Sequence, residues 1–305
     1  MTPIIIPFCE GEARLNWLTL CDRLKAGHQF PKAEISDSLL YRGDDTMLSR
    51  AAWIDGMGLA VKTATVFPGN TAQGQPMIGG SVSLFSDKTG ALDALIDFHL
   101  VTKWKTAGDS LTAALQLARP DSRSILIVGA GTVGQTLRQA YGTGFPEATF
   151  TVWNRTRSTA EAMAAEYPGM HVADDLEQAI KAADIVTSAT MSTDPILQGA
   201  WFQPGQHIDL IGAYRPDMRE ADDLALQRAR VFVDSYDTTV PHIGEIKTPI
   251  ETGAIKRDDL QADYYEADRF VRQSEDEITL FKNGGGAHLD LMTSRYILDA
   301  WTGEI

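Results

Sequence analysis

The residues whose types and spacing most directly suggest chemistry are three glycines and one lysine. Gly129, Gly131 and Gly134 stand in "GAGTVG", a G-x-G-x-x-G pattern that follows the apolar run "SILIV" and opens the amphipathic stretch "TVGQTLRQAYGTG". A strand, a glycine bend and a helix in that order form a dinucleotide cradle. The first glycine allows the tight turn, the second lets backbone approach a pyrophosphate, and the third lets helix and strand pack closely. The helix N-terminus then offers unpaired N–H groups to the phosphates. Where NAD-selective sites end the next strand with a carboxylate, this chain has Asn154, then Arg155, Thr156 and Arg157. Nothing there repels a ribose 2′-phosphate and two guanidinium groups are near, so NADP is tolerated and NAD is not excluded.

Lys62 is the candidate catalytic residue. In "GLAVKTATVF" the period-two pattern puts Lys62 on a strand face with Ala60, Ala64 and Val66, small neighbours that would desolvate its ammonium and fit it to donate a proton or grip a carboxylate. A lysine reaching solvent from a sheet edge is the competing reading. Further cations stand at Arg42, Arg50, Lys103 and Lys105. In a chain of net charge −14 an anionic ligand must be met by such locally placed cations, and the same surplus disfavours nucleic acid or an anionic membrane as partner. Six histidines, among them His288 beside "NGGG", show no paired metal-ligand spacing, so no metal site is expected. Two cysteines, no basic leader and no apolar run long enough to cross a bilayer point to a cytoplasmic protein.

The elements that must position these residues follow from periodicity. The spacing predicts a helix over 11–26 stopping at Gly27, a strand from Gly58, a hairpin turning at Lys88 to Gly90, and a helix running toward Pro120. After Pro120 the strands "SILIV", "TFTVW", "DIVTSA", "HIDLIGA" and "VFVDS" alternate with helical segments, and "AHLDLMTSRYILDAW" reads as a last helix returning to the first lobe. The expected fold is α/β: a doubly wound parallel Rossmann sheet over 120–285 and a mixed α/β lobe over 1–119 completed by 286–305.

"VKTATVFPGN", "LVTKWKTAGDS", "GAGTVG", "VWNRT", "IGAYRPDMREADD" and "ITLFKNGGGAHLD", in this order, resemble the ornithine cyclodeaminase and mu-crystallin family. The resemblance implies a Rossmann domain joined to a lobe that supplies the catalytic surface and a homodimer interface. By position Lys62 matches the family's active-site lysine, and Lys105-Thr106 falls where the family has Arg-Thr beside substrate and cofactor. Arg42 resembles the family's carboxylate-binding arginine, with Arg50 as its rival. Thr132 and Val133 match the phosphate-turn contacts, Asn154 the ribose position, Thr190 the loop after the fourth strand, and Asn283 and Gly284 the segment near the nicotinamide. Cyclodeaminases carry an aspartate where this chain has Tyr214, which counts against ornithine cyclisation and places Tyr214 at the substrate.

The branch most similar is that of the ketimine reductases, which implies NAD(P)H-dependent reduction of an α-imino acid to an L-amino acid. If Arg42, Arg50 and Lys105 all faced one pocket, with Asp109 beside them, a dicarboxylic imine would be held at both ends, and iminosuccinate is the expected substrate. The alternatives are a cyclic ketimine such as pyrroline-2-carboxylate, alanine dehydrogenation, ornithine cyclisation, or a crystallin-like protein that binds NADP without turnover.

Overall fold

The computed structural model describes residues 2–304. It comprises two compact units, one made of the chain up to Lys105 together with Gly286 onward, the other of Thr106–Gly285.

In the first unit β1 (Ile4–Ile6), α1 (Phe8–Glu12) and α2 (Trp17–Gly27) precede β2 (Glu34–Arg42), β3 (Asp45–Ile54), β4 (Gly58–Val66), β5 (Ile78–Phe85) and β6 (Leu92–Asp97). The strands form one sheet in the order β1-β6-β5-β4-β3-β2. From β2 to β6 it is an antiparallel meander, while β1 joins β6 in parallel. The single helix expected over 11–26 is two helices. Asn16 starts the second one afresh by accepting bonds from the Leu18 and Thr19 amides, satisfying donors that a new helix leaves open. The strand at Gly58 and the hairpin are as expected, with Gly90 in the left-handed region (φ 66°). β2 and β3 were not expected, since β2 buries none of its residues and so shows no inward face.

Helix α3 (Phe98–Leu117) explains why the division does not fall at Pro120. Its first turns bury Leu100, Val101 and Trp104, with Trp104 stacked 3.8 Å from Trp17. From Thr106 on it serves a different core, packing Ala113 and Leu117 with Phe232, Tyr264 and Phe281. One helix thus supplies apolar side chains to two cores, and Pro120 merely lies past its end.

In the second unit the alternation is carried by β7 (Ser124–Val128), α4 (Thr132–Gly144), β8 (Thr149–Trp153), α5 (Arg157–Glu166), β9 (His171–Val172), α6 (Leu176–Ala182), β10 (Ile185–Ser188), β11 (His207–Leu210), α7 (Asp223–Arg228) and β12 (Arg230–Val233). There follow α8 (Tyr236–Thr239), α9 (Gly244–Thr252), β13 (Leu260–Ala262) and β14 (Thr279–Lys282). The sheet runs β13-β12-β14-β11-β10-β7-β8-β9 with every pairing parallel. Strand order reverses between β7 and β10, and open α/β sheets bind ligands beyond the carboxyl ends of the strands at such a switch point. Of the strands not read from the sequence, β14 is fully buried and lies between β11 and β12. α10 (Ala287–Thr302) belongs to the first unit, where it covers β3, β4 and β5 and packs on α2. Among the described residues no helix is long and apolar enough to cross a membrane.

The second unit's sheet also carries buried polar groups, and one of them gives folding a pH dependence. His207 Nδ1 lies 2.9 Å from Thr279 Oγ1, and burial, aided by the Arg272 charge, pushes the imidazole down from 6.5 to about 3. The unfolded chain binds this proton at a pH where the folded chain refuses it. Stability from His207 is therefore complete above its unfolded value and is lost as pH falls from there toward the folded value. Urea unfolding of a His207→Gln variant should show a pH slope shallower than that of the parent by about 1.4 kcal/mol per pH unit across the interval between the two values. Parallel slopes for variant and parent would refute this assignment.

Candidate active site

The glycine turn in the second unit has the geometry its sequence promises. Gly129 sits at φ 106°, a conformation that side chains resist, and a Cβ there would come 2.8 Å from the Ala189 carbonyl oxygen. At Gly134 a Cβ would lie 2.0 Å from the Gly129 oxygen, so helix and strand can approach this closely only with glycine. A Cβ at Gly131 would meet no atom within 4 Å, which leaves that side of the turn open to a ligand. Gly131 is also the N-cap of α4 and makes no side-chain cap, so the amides of the first turn, at Thr132 and Val133, are not claimed by one. Val133, Met191 and Tyr214 are exposed apolar side chains in segments that follow β7, β10 and β11. Open backbone donors and apolar surface at the carboxyl ends of these strands are what a phosphate-bearing aromatic ligand requires, and the residues present fit a dinucleotide.

Asn154 is at the end of β8 as expected, but both ends of its amide are engaged. Its Oδ1 accepts from the Ala130 N–H at 3.1 Å and its Nδ2 donates to the Thr156 carbonyl at 2.9 Å, so the side chain ties the glycine turn to the neighbouring strand end. Thr156 caps α5 without a side-chain bond. Arg157 pairs with Glu161 and Asp174, whereas Arg155 is exposed. Of the two guanidinium groups expected near a 2′-phosphate, Arg157 is thus neutralised by carboxylates. Asn283 is buried and donates to the Thr106 carbonyl and Ser110 Oγ, both at 3.0 Å. Gly284 is so tightly set that a Cβ would lie 1.9 Å from Thr239 Oγ1. Thr190 is held through its amide and hydroxyl by Glu220.

In the first unit the lysine singled out from the sequence is at the centre of a buried charge cluster, which overturns the solvent-edge alternative. Lys62 lies on β4, flanked on both sides by strands, and is only 6% exposed. Its Nζ donates to Asp290 Oδ1 at 2.9 Å and lies 4.8 Å from the centre of the Phe98 ring. Lys105 Nζ is 3.6 Å from the same carboxylate oxygen. Asp290 occupies the first turn of α10, where the helix dipole also favours a negative charge. Burial alone would raise its carboxyl, but Lys105, Lys62 and Arg50 outweigh it and hold it below the usual carboxylate range. Arg50 is the direct cross-strand partner of Lys62 in the β3–β4 register, and it forms a two-point contact with Asp37.

Arg42 does not join this cluster. It pairs with Asp45 at the tip of the β2–β3 hairpin with its side chain 80% exposed. Thr46, next to that tip, is level with Val66, four residues along β4 from Lys62, a separation of about 13 Å at the rise of a strand. Register therefore brings Arg50, and not Arg42, beside Lys62, and the expected set of three cations loses one member. Lys103 pairs with Glu12. Asp109 is wholly buried in the part of α3 that belongs to the second unit. Tyr214 is 59% exposed. His288 is buried edge-on to His28, and burial together with the Lys105 charge holds it neutral by pushing it down to about 3; it is a packing residue. Sequence reasoning missed Asp290, although its segment "GGGAHLD" was in view, because an acid in the first turn of a helix reads as a dipole complement. It also missed Lys32, whose charge acts on His288.

Residues 46–304 match the family described as the ornithine cyclodeaminase/mu-crystallin family. The Δ1-pyrroline-2-carboxylate reductase of Paracoccus denitrificans (strain Pd 1222) is 46% identical over 309 residues, which cover 99% of this chain and 98% of that protein. Among solved structures, Thermococcus litoralis Δ1-pyrroline-2-carboxylate reductase in complex with NADH and L-proline superposes with a TM-score of 0.89 at 24% identity, covering 99% of this chain and 98% of the other. The iminosuccinate reductase of Paracoccus denitrificans in complex with NAD+ gives 0.89 at 21% identity, covering 99% and 97%. At these identities the two structures show a shared fold.

Asp290→Asn would leave two ammonium groups buried without their counter-charge. Its expected cost is about 3–5 kcal/mol in urea unfolding, the usual effect of breaking a buried ion pair. Adding Lys62→Met should recover part of that stability. Full stability of Asp290→Asn alone would show that the ions are not coupled in solution.

Proposed function

Because this chain belongs to the ornithine cyclodeaminase/mu-crystallin family, we propose that it reduces the C=N bond of an α-imino acid with NAD(P)H, and that Δ1-pyrroline-2-carboxylate, giving proline, is the substrate. The observation that carries the reading is the buried Lys62–Asp290–Lys105 cluster with Arg50 across the strand pair. Such a site offers positive charge to one carboxylate and a proton relay to one nitrogen. With Arg42 at the hairpin tip, the second clamp that a dicarboxylic imine such as iminosuccinate would need loses a member. The near full-length relative at 46% identity carries the pyrroline-2-carboxylate name, whereas the iminosuccinate reductase is 21% identical. Tyr214 brings no carboxylate for a second amine, which speaks against cyclisation of ornithine.

Bound reduced nicotinamide supplies the hydride that adds to the imine carbon. This chain's own residues do the rest. Arg50 and Lys105 bind the α-carboxylate and fix its orientation, which matters because hydride transfer requires near-contact geometry. Lys62, aimed by Asp290, gives a proton to the imine nitrogen. As hydride forms the new C–H bond the C=N π pair returns to nitrogen, which stays in the product as a neutral amine, and the lysine regains a proton from solvent. Burial of the cluster strengthens each of these interactions. No carboxylate ends β8 to exclude a 2′-phosphate and Arg155 remains to meet one, so both dinucleotides are accepted.

The dimer belongs to the same proposal. All nine residues of β2 are exposed at the edge of the sheet, with Leu39, Leu40 and Tyr41 in sequence, and Trp53 and Ile78 add to the exposed apolar surface of this unit. An open apolar edge of this kind pairs with another chain or aggregates. A second copy is the expected occupant.

Lys62→Met should lower kcat with pyrroline-2-carboxylate by at least ~10²-fold, the scale of a lost acid–base group, with dinucleotide affinity unchanged. Near-parental turnover in that variant would end its catalytic role. A higher kcat/KM for iminosuccinate than for pyrroline-2-carboxylate would reassign the substrate to the dicarboxylic imine. Light scattering should give a dimer mass for the parent and a monomer for Leu40→Glu; a monomeric parent would contradict the interface.

A further inference from the structure

One carboxylate in the second unit receives five hydrogen bonds, from the last residue of β10 and from the loops beyond β10 and β11. Oε1 of Glu220 accepts from Ser188 Oγ at 2.6 Å, the Thr190 N–H at 2.7 Å and Thr190 Oγ1 at 2.8 Å. Oε2 accepts from the Gly212 and Ala213 amides at 2.6 and 3.3 Å. Both oxygens are saturated, and a carboxylate that only accepts is the side chain suited to gather donors from two segments. Glu220 is itself held the same way: Glu245 takes its backbone N–H at 2.7 Å and that of Ala221 at 3.0 Å. The buried Lys282 ammonium, bonded to the Leu210 carbonyl at 2.9 Å, supplies positive charge to both glutamates.

The segments gathered by Glu220 bear directly on the glycine turn. A Cβ at Gly212 would lie 1.8 Å from the Thr190 oxygen, and one at Gly129 would lie 2.8 Å from the oxygen of Ala189. These loops meet backbone to backbone, so a shift of the 189–190 segment is transmitted to the turn without side chains to absorb it. Thr190 and the Gly212–Tyr214 segment both stand at the carboxyl ends of strands beside the switch point.

We propose that Glu220 is a positioning residue for the pyridine nucleotide, setting the spacing of the Thr190 and Gly212–Ala213 segments against the glycine turn without touching the cofactor itself. This rests on the cofactor reading above. Glu220→Gln keeps the shape but replaces one accepting oxygen with an NH2 group that faces donors. NADH and NADPH fluorescence titrations of the parent and of Glu220→Gln, with steady-state turnover at saturating dinucleotide, separate positioning from a general loss of fold. The expected result is a Kd raised by at least ~10-fold, the scale of lost hydrogen bonds to a charged group, with kcat within ~3-fold of the parent. Hydrogen exchange at the Thr190, Gly212 and Ala213 amides should accelerate in the same variant. Should Glu220→Gln fail to fold, Ser188→Ala removes a single donor and should raise Kd by ~3-fold with kcat kept. An unchanged Kd in the folded variant, or a kcat that falls in step with Kd, overturns the proposal. A parent that binds neither dinucleotide overturns the cofactor reading and this inference with it.

Discussion

A carboxylate between two ammonium groups on a dry sheet face is the interaction on which the candidate chemistry depends. Cations buried without a counter-charge would shed protons or unfold the unit, and cations left in water would grip an anion weakly. Asp290 resolves the conflict by setting one carboxylate oxygen 2.9 Å from Lys62 Nζ and 3.6 Å from Lys105 Nζ where water is scarce. Its position at the start of α10 makes the return of the chain's last helix to the first unit a chemical requirement as well as a packing solution.

Acids do interior work in the second unit too. The net charge of −14 reads from composition as a property of the surface. Yet Glu220 and Glu245 receive backbone amides, Asp184 receives those of Arg123 and Ser124, and Asp209 receives the hydroxyls of Ser110, Tyr141 and Thr187. In each case the carboxylate gathers donors from segments distant in sequence. The parallel sheet needs such receptors because its strand ends and connecting loops leave amides that no ladder satisfies.

Legibility in the sequence followed the range of the interaction. The glycine turn, the strand of Lys62 and the β7 to β11 alternation are local patterns, and each was read at nearly its true position. β14 was not, because a four-residue buried strand has no periodicity to display and owes its place to partners far along the chain. β2 escaped for the opposite reason: with every residue exposed it lacks the alternation that marks a half-buried strand. Among the site residues, sequence put Arg42 ahead of Arg50 because it does not contain the hairpin register that puts Arg50 opposite Lys62. Asp290 and Glu220 are visible only when residues far apart along the chain are brought together.

Asn154 bears on any effort to retune the cofactor. Engineering of dinucleotide enzymes toward NAD ordinarily installs an acid at this position to exclude the extra phosphate. Here the amide has a structural task at each end, accepting from Ala130 and donating to the Thr156 carbonyl. An aspartate would keep the first bond and set an oxygen against the second carbonyl, loosening the glycine turn. Turn rigidity thus depends on this one side chain, and redesign would have to supply the missing donor from elsewhere.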